Sequence, residues 1–263
     1  MSQDADEGFC FVEGKQRPIA RLHPSKIRHT GDKAKLISAN DKNGFTFRGK
    51  FLESSQATSV SAEVSQKAHA ALRWLIGARK QAQRNGDQVT VAWALSTTPI
   101  PNPIEDPITH LDDFDLDDFD EDDIAADSSN VEQKTKHEHH RDLGQQAAQK
   151  LRKKLAGYQA KLDHHDQLTV LSLDSATTGR MAITYYQQFM PHEYFAALQQ
   201  WQDDFQWYQR HSKDLPAEGK KKARTITIFP MVAPAPYAIA QAAYGRALSD
   251  ELKKQVIARI LPN

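Results

Sequence analysis

The sequence predicts an α+β fold, a mainly antiparallel sheet with packed helices and a long acidic disordered insertion. Three observations carry this. Apolar residues at period two (Val89, Val91, Trp93, Leu95; then Met181, Ile183, Tyr185) mark strands. Apolar stripes at helical spacing lie between and after them. Residues 105–127 hold twelve acids and neither Lys nor Arg, and like charges at that density repel one another and resist folding.

Taken in order, residues 9–60 read as short strands and loops rich in Lys, Arg and Gly. Ser61 is a plausible N-cap with Glu63 in the first turn. The stripe Val64, Ala68, Ala71, Leu72, Leu75 and Ile76 extends that helix to about Arg84. Asn85-Gly86-Asp87 stops it, and a half-buried strand follows through Leu95. Pro99, Pro101, Pro103 and Pro107 end regular structure before the acidic run, which lasts to about Asn130. Its exceptions, Phe114 and Phe119, are suited to dock on a basic groove as a nucleic-acid mimic; a disordered linker is the plainer reading.

A helix is expected over Asp142–Leu162, with Leu143, Ala147, Leu151, Leu155, Tyr158 and Leu162 on one side. Two strands, Leu168–Leu173 and Arg180–Tyr186, flank a turn at Ser175–Gly179. Pro191 opens a helix whose stripe Tyr194, Leu198, Trp201, Phe205 and Tyr208 reads as core. A basic loop, Gly219–Arg224, precedes the strand Thr225–Phe229. Two helices close the chain, one ending at Gly245-Arg246 and one capped by Ser249. The expected organisation is a basic strand, loop and helix region (1–100), an acidic Pro-flanked linker (101–141) and a helix, hairpin and helical region (142–263).

Composition narrows the function. The single cysteine, Cys10, excludes an internal disulfide and fits a reducing cytoplasm. No apolar run reaches the roughly 18 residues a membrane span needs. The acidic, polar stretch Ser2–Glu7 is unlike a signal peptide. The net charge of zero conceals a separation: outside the acidic run, 34 bases face the remaining 22 of 34 acids, a net of +12. A basic body suits a polyanionic partner through counterion release, although a solvated surface accounts for charge alone equally well.

The basic residues fall into two patches. Arg17, Arg21, His23, Lys26, Arg28, Lys33 and Lys35 are close in sequence, with Pro24 and Gly31 bending the backbone. Lys220, Lys221, Lys222 and Arg224 form the second. Lys and Arg pair with phosphate oxygens, so both are candidates for nucleic-acid contact. Arg180, directly after the hairpin glycine, either reaches into a groove or bridges to Asp174. Asp174 itself either closes the turn or, as in RNase H-like nucleases, places a first metal carboxylate. The histidines flanking the 142–162 helix (His137, His139, His140; His164, His165) lie too far apart to converge on a metal and read as solvated. The residues therefore suggest no catalytic site, metal or cofactor, and no Walker, dinucleotide, nucleophile-elbow or zinc-finger signature is present.

Seven segments, in order, resemble one family. They are Cys10-Phe11-Val12-Glu13-Gly14, Ile19–Pro24, Leu36–Asn40, Val64–Ile76, Gly86–Trp93, Leu173–Tyr186, and the pair Ala233–Pro236 with Ala240–Arg246. Together they are similar to the large subunit of the type I-C CRISPR interference complex, Cascade. The resemblance covers nearly the whole chain apart from residues 101–140, roughly, and departs from the family in length. The family's chain is longer, with a region before the Cys10 stretch and a helical bundle after the position of Pro262, so a central fragment is expected. The resemblance implies a non-catalytic, cytoplasmic subunit at the crRNA 5′ end. Its partners are the other Cascade subunits, crRNA, double-stranded target DNA and a helicase-nuclease. Its roles are recognition of the protospacer-adjacent motif, holding opened DNA and presenting the complex for degradation. Two rivals remain open: a metal-dependent nuclease centred on Asp174, and a scaffold whose acidic segment binds basic proteins.

Overall fold

The computed structural model describes residues 6–38, 50–77, 82–111, 133–215 and 224–261. Most of the acidic run, from Asp112 to Asp127, lies outside them, as do Lys220, Lys221 and Lys222. Helices and antiparallel strands make up the chain, as the α+β reading expects. They form two compact units, one of residues 1–93 with 169–188, the other of 94–168 with 189–263. The hairpin of the second half therefore groups with the N-terminal segment. The sequence-contiguous division missed this, because strand pairing ignores sequence distance.

The first unit begins with a hairpin, β1 (Glu7–Cys10) and β2 (Lys15–Pro18), antiparallel with Phe9 opposite Gln16. A short helix, α1 (Ser54–Ala57), precedes α2 (Ala62–Ile76). Ser61 caps α2 as expected, its hydroxyl accepting from the Val64 N–H. The helix stops at Gly77 and does not reach Arg84. Instead β3 (Ala82–Asn85) turns at Gly86-Asp87 into β4 (Gln88–Ala94). Gly86 holds the positive φ of 57° that this two-residue turn demands.

Four strands form the main sheet, in order β3-β4-β5-β6, with β5 (Leu168–Thr177) and β6 (Arg180–Phe189) longer than their apolar cores implied. Ile27, Ala34, Leu72, Leu75, Ile76, Val89, Val91, Leu171, Leu173 and Met181 pack as one cluster, seating α2 on one face. The alternation in β4 predicted a strand buried on one face only; Thr90 and Ala92, on the other, are buried too, and the Thr90 hydroxyl bonds Ser172 across the sheet at 2.6 Å. Leu95 lies past the strand and is exposed.

The second unit carries a 3-10 turn (Pro107–Leu111) and a long helix, α3 (Gln133–Gln159). This helix starts well before Asp142 and includes the positions of His137, His139 and His140, which the sequence placed in a linker. Gly144 permits its close approach to a neighbour: a Cβ there would stand 2.5 Å from the Tyr208 ring. Pro191 opens α4 (Pro191–Phe205), where Tyr194 and Phe195 are buried. Phe205 is half-exposed, and Tyr208 belongs to the short strand β7 (Trp207–Tyr208), so the expected stripe is core only at its start. Strand β7 pairs with β10 (Met231–Val232), and β8 (His211–Leu215) with β9 (Arg224–Ile228). Helices α5 (Pro236–Tyr244) and α6 (Asp250–Ile260), the latter capped by Ser249, close the chain as expected. Among the described residues no helix is long and apolar enough to cross a membrane.

Candidate nucleic-acid interface

Three turns of the first unit converge at one end of the main sheet. The first is the loop Lys26–Asp32, closed at its base by the Lys26 N–H donating to the Asp32 carbonyl at 2.9 Å. At its tip the Asp32 N–H donates to the His29 carbonyl at 3.1 Å. The second is the β3–β4 turn at Gly86-Asp87, and the third is the β5–β6 turn. Lys35 forms a parallel bridge with Arg180: its N–H reaches the Gly179 carbonyl, and its carbonyl takes the Met181 N–H at 2.9 Å.

Arg28 ties all three together. Its Nε and Nη2 donate to the two Asp32 carboxylate oxygens at 2.9 and 3.0 Å, a bidentate pair. Its Nη1 donates to the Asp87 carbonyl at 2.6 Å and to Ser175 Oγ at 2.8 Å. The Arg28 carbonyl accepts from Arg84 Nη2 at 2.6 Å. Both side chains of the pair are nearly inaccessible, at 4% and 3% exposure. The Arg28 hydrogen bond, against the opposing effect of burial, holds the Asp32 carboxyl below the usual carboxylate range; the Ala34 N–H helps. Bonding to Asp32 likewise raises the guanidinium, again opposed by burial and assisted by the charges of Asp32, Asp87 and Asp174.

These contacts revise the expected roles within the first patch. Arg28 was expected to meet phosphate; it is buried and bonded within the protein, so it organises the loop. His23 was expected there too; it is buried, and its Nδ1 lies 2.8 Å from Ser65 Oγ on α2. Its ring stacks 6.2 Å from that of His69. Burial first, then His69 and Lys35, pushes its pKa down, so the neutral form is favoured. Arg17 and Arg21 remain exposed, each paired with a nearby acid, Glu13 and Asp6 respectively. Lys26 and Lys33 are exposed, and Lys35 and Arg180 are partly so. From the second patch only Arg224 lies among the described residues, on β9 in the other unit.

The structure thus brings together residues that the sequence held far apart: the loop at Lys26–Lys35 and the hairpin apex at Arg180. Nothing in the sequence marks Ser175, Asp87, Arg84 and Asp32 as partners of this loop. The Arg28–Asp32 spacing of four suggests an ion pair on a helix, and here it operates across a loop. Asp174, the candidate metal carboxylate, accepts the Ser175 N–H at 2.7 Å and contributes to the field on Arg28. The guanidinium of Arg28 is bonded to the Asp32 carboxylate and the Asp87 carbonyl, with Asp174 adding to the field on it. Among the described residues no three His, Cys, Asp or Glu side chains form a group able to hold a metal ion.

No curated protein matches the chain significantly. A family model described as CRISPR-associated protein (Cas_Csd1) matches residues 1–263. With the whole chain covered, the protein belongs to the CRISPR-associated Csd1 family.

Proposed function

We propose that this chain is a non-catalytic, nucleic-acid-binding part of the large subunit of a type I-C CRISPR interference complex. It works in the cytoplasm with the other Cascade subunits and crRNA, on double-stranded target DNA. Its share of the work is recognition of the protospacer-adjacent motif, retention of opened DNA and recruitment of the helicase-nuclease. Base pairing supplies sequence specificity in such a machine, and protein supplies short-motif reading and a basic channel.

One observation carries the reading. Lys26 and Lys33 on the loop, Lys35 just beyond it, Arg84 on β3 and Arg180 at the start of β6 gather at one end of a single sheet, and the buried Arg28–Asp32 pair holds the loop. Such an array meets phosphates without needing its own sequence code. Membership of a CRISPR-associated family gives that array a polyanion to meet.

The test is co-purification with the other Cascade subunits and crRNA, followed by target-DNA binding. Incubation with single- and double-stranded DNA and RNA plus Mg²⁺ or Mn²⁺ should yield no cleavage. Cleavage that disappears in Asp174→Ala would overturn the non-catalytic assignment in favour of a nuclease.

A further inference from the structure

The loop Lys26–Lys33 has a construction that simple surface charge does not need. Lys26 has φ 60°, a left-handed conformation that costs a non-glycine residue about 1–2 kcal/mol. Such conformations persist where the surroundings over-determine them. Here the over-determination is explicit: the Lys26 N–H bonds the Asp32 carbonyl, and Arg28 fastens Asp32 to Asp87 and Ser175. The effect is to hold Lys26 and Lys33 exposed on either side of the tip His29-Thr30-Gly31, which is exposed as well. Within the tip, Thr30 and Gly31 are the central residues of the turn closed by Asp32 N–H to His29 carbonyl. The closing bond of such a turn uses neither of the two central amides. The His29 ring lies over Gly31, within 3.5 Å of where a Cβ would stand.

Resting on the nucleic-acid reading above, we propose that this loop is a preformed cradle for a backbone phosphate of the nucleic acid. Lys26 and Lys33 supply the positive charge, and the Thr30 and Gly31 amides supply directed donors. Arg28 is a positioning residue: it never touches the phosphate, and its fork fixes the loop that does. Lysine is not equivalent there, since an ammonium cannot hold both Asp32 oxygens, the Asp87 carbonyl and Ser175 in one plane.

The experiment measures binding of a fluorescent double-stranded DNA to the full chain across a salt series, with circular dichroism as a check on folding. Lys26→Ala/Lys33→Ala touches only exposed side chains, so the fold should persist. It should weaken binding roughly tenfold or more at about 100 mM salt and flatten the slope of log affinity against log salt by ~0.9, the loss of one phosphate contact. Arg28→Lys preserves net charge, so a purely long-range electrostatic role leaves binding unchanged. The cradle instead requires weaker binding and a flatter slope with the spectrum retained. Asp32→Asn, nearly isosteric, should act in the same direction and serves if Arg28→Lys unfolds. Arg17→Ala/Arg21→Ala, outside the loop, should keep the sensitivity of binding to Arg28→Lys. If wild type binds DNA and the Lys26/Lys33 variant binds equally well, the cradle is wrong and the functional reading stands. If the loop lysines matter while Arg28→Lys and Asp32→Asn both bind with the wild-type slope, the positioning role is wrong. If wild type binds no nucleic acid even at low salt, the functional reading fails, and the cradle with it.

Discussion

Removing the Arg28 guanidinium should be among the most damaging single changes available in the first unit. Arg28→Ala strips Asp32 of both side-chain bonds and leaves a buried carboxylate held chiefly by backbone N–H groups, including Ala34 at 3.0 Å. It also frees the Asp87 carbonyl and the Ser175 hydroxyl from their shared donor. Breaking a buried ion pair from one side costs about 3–5 kcal/mol, because the survivor is an uncompensated charge. Asp32→Ala should cost a similar amount, softened by the two contacts Arg28 keeps to Asp87 and Ser175. The double variant should cost well below the sum, giving a coupling of about 2 kcal/mol or more in the double-mutant cycle. Native-state amide exchange in β4 and β5 reports on opening of the first unit. A loss of 3–5 kcal/mol accelerates that exchange by about two to four orders of magnitude. Exchange within about fivefold of wild type in Arg28→Ala, or additive single effects, would refute the claim that the pair staples three turns.

Acid should weaken the first unit in two windows. The native state depresses the pKa of His23, so the unfolded chain binds the extra proton first; stability is whole above about pH 6.5 and falls as pH drops from there toward the lower native value. Asp32, also depressed, adds a second loss below about pH 3.9. His23→Gln should abolish the first window in amide exchange of β4 and leave the second. Lys26→Gly should separate stability from binding: relief of the positive φ should stabilise by about 1 kcal/mol in urea unfolding, while DNA binding weakens and its salt slope falls by at most ~0.9. Gly144→Ala should destabilise the second unit by about 1–3 kcal/mol, because overpacking against the Tyr208 ring and the Phe229 carbonyl outweighs the gain in helix propensity; a rise in thermal midpoint would contradict this.

Much of the fold was legible because local rules act locally. The Ser61 and Ser249 caps and the Pro191 start each depend on one or two residues and their backbone, whereas Asn85-Gly86-Asp87, read as a helix stop, closes the β3–β4 hairpin. Helix ends without such marks were misplaced: α2 stops eight residues before Arg84, since the apolar stripe is satisfied by Ile76 and Gly77 follows it. The start of α3 lies at Gln133, in a polar stretch that offers no apolar stripe to read.

The sequence by itself determined that the chain is α+β, that its charge is divided between an acidic run and a basic remainder, and that a hairpin ends in Gly179-Arg180. Tertiary structure alone decided which bases remain available to a partner. Arg28 and Lys26 are two residues apart and equally basic on paper, yet one is sealed against Asp32, Asp87 and Ser175 and the other is exposed. Their difference comes from residues up to 147 positions away, brought close by strand pairing. A guanidinium buries only where carboxylate and carbonyl oxygens already converge to replace its water, and that convergence exists only once the sheet has formed.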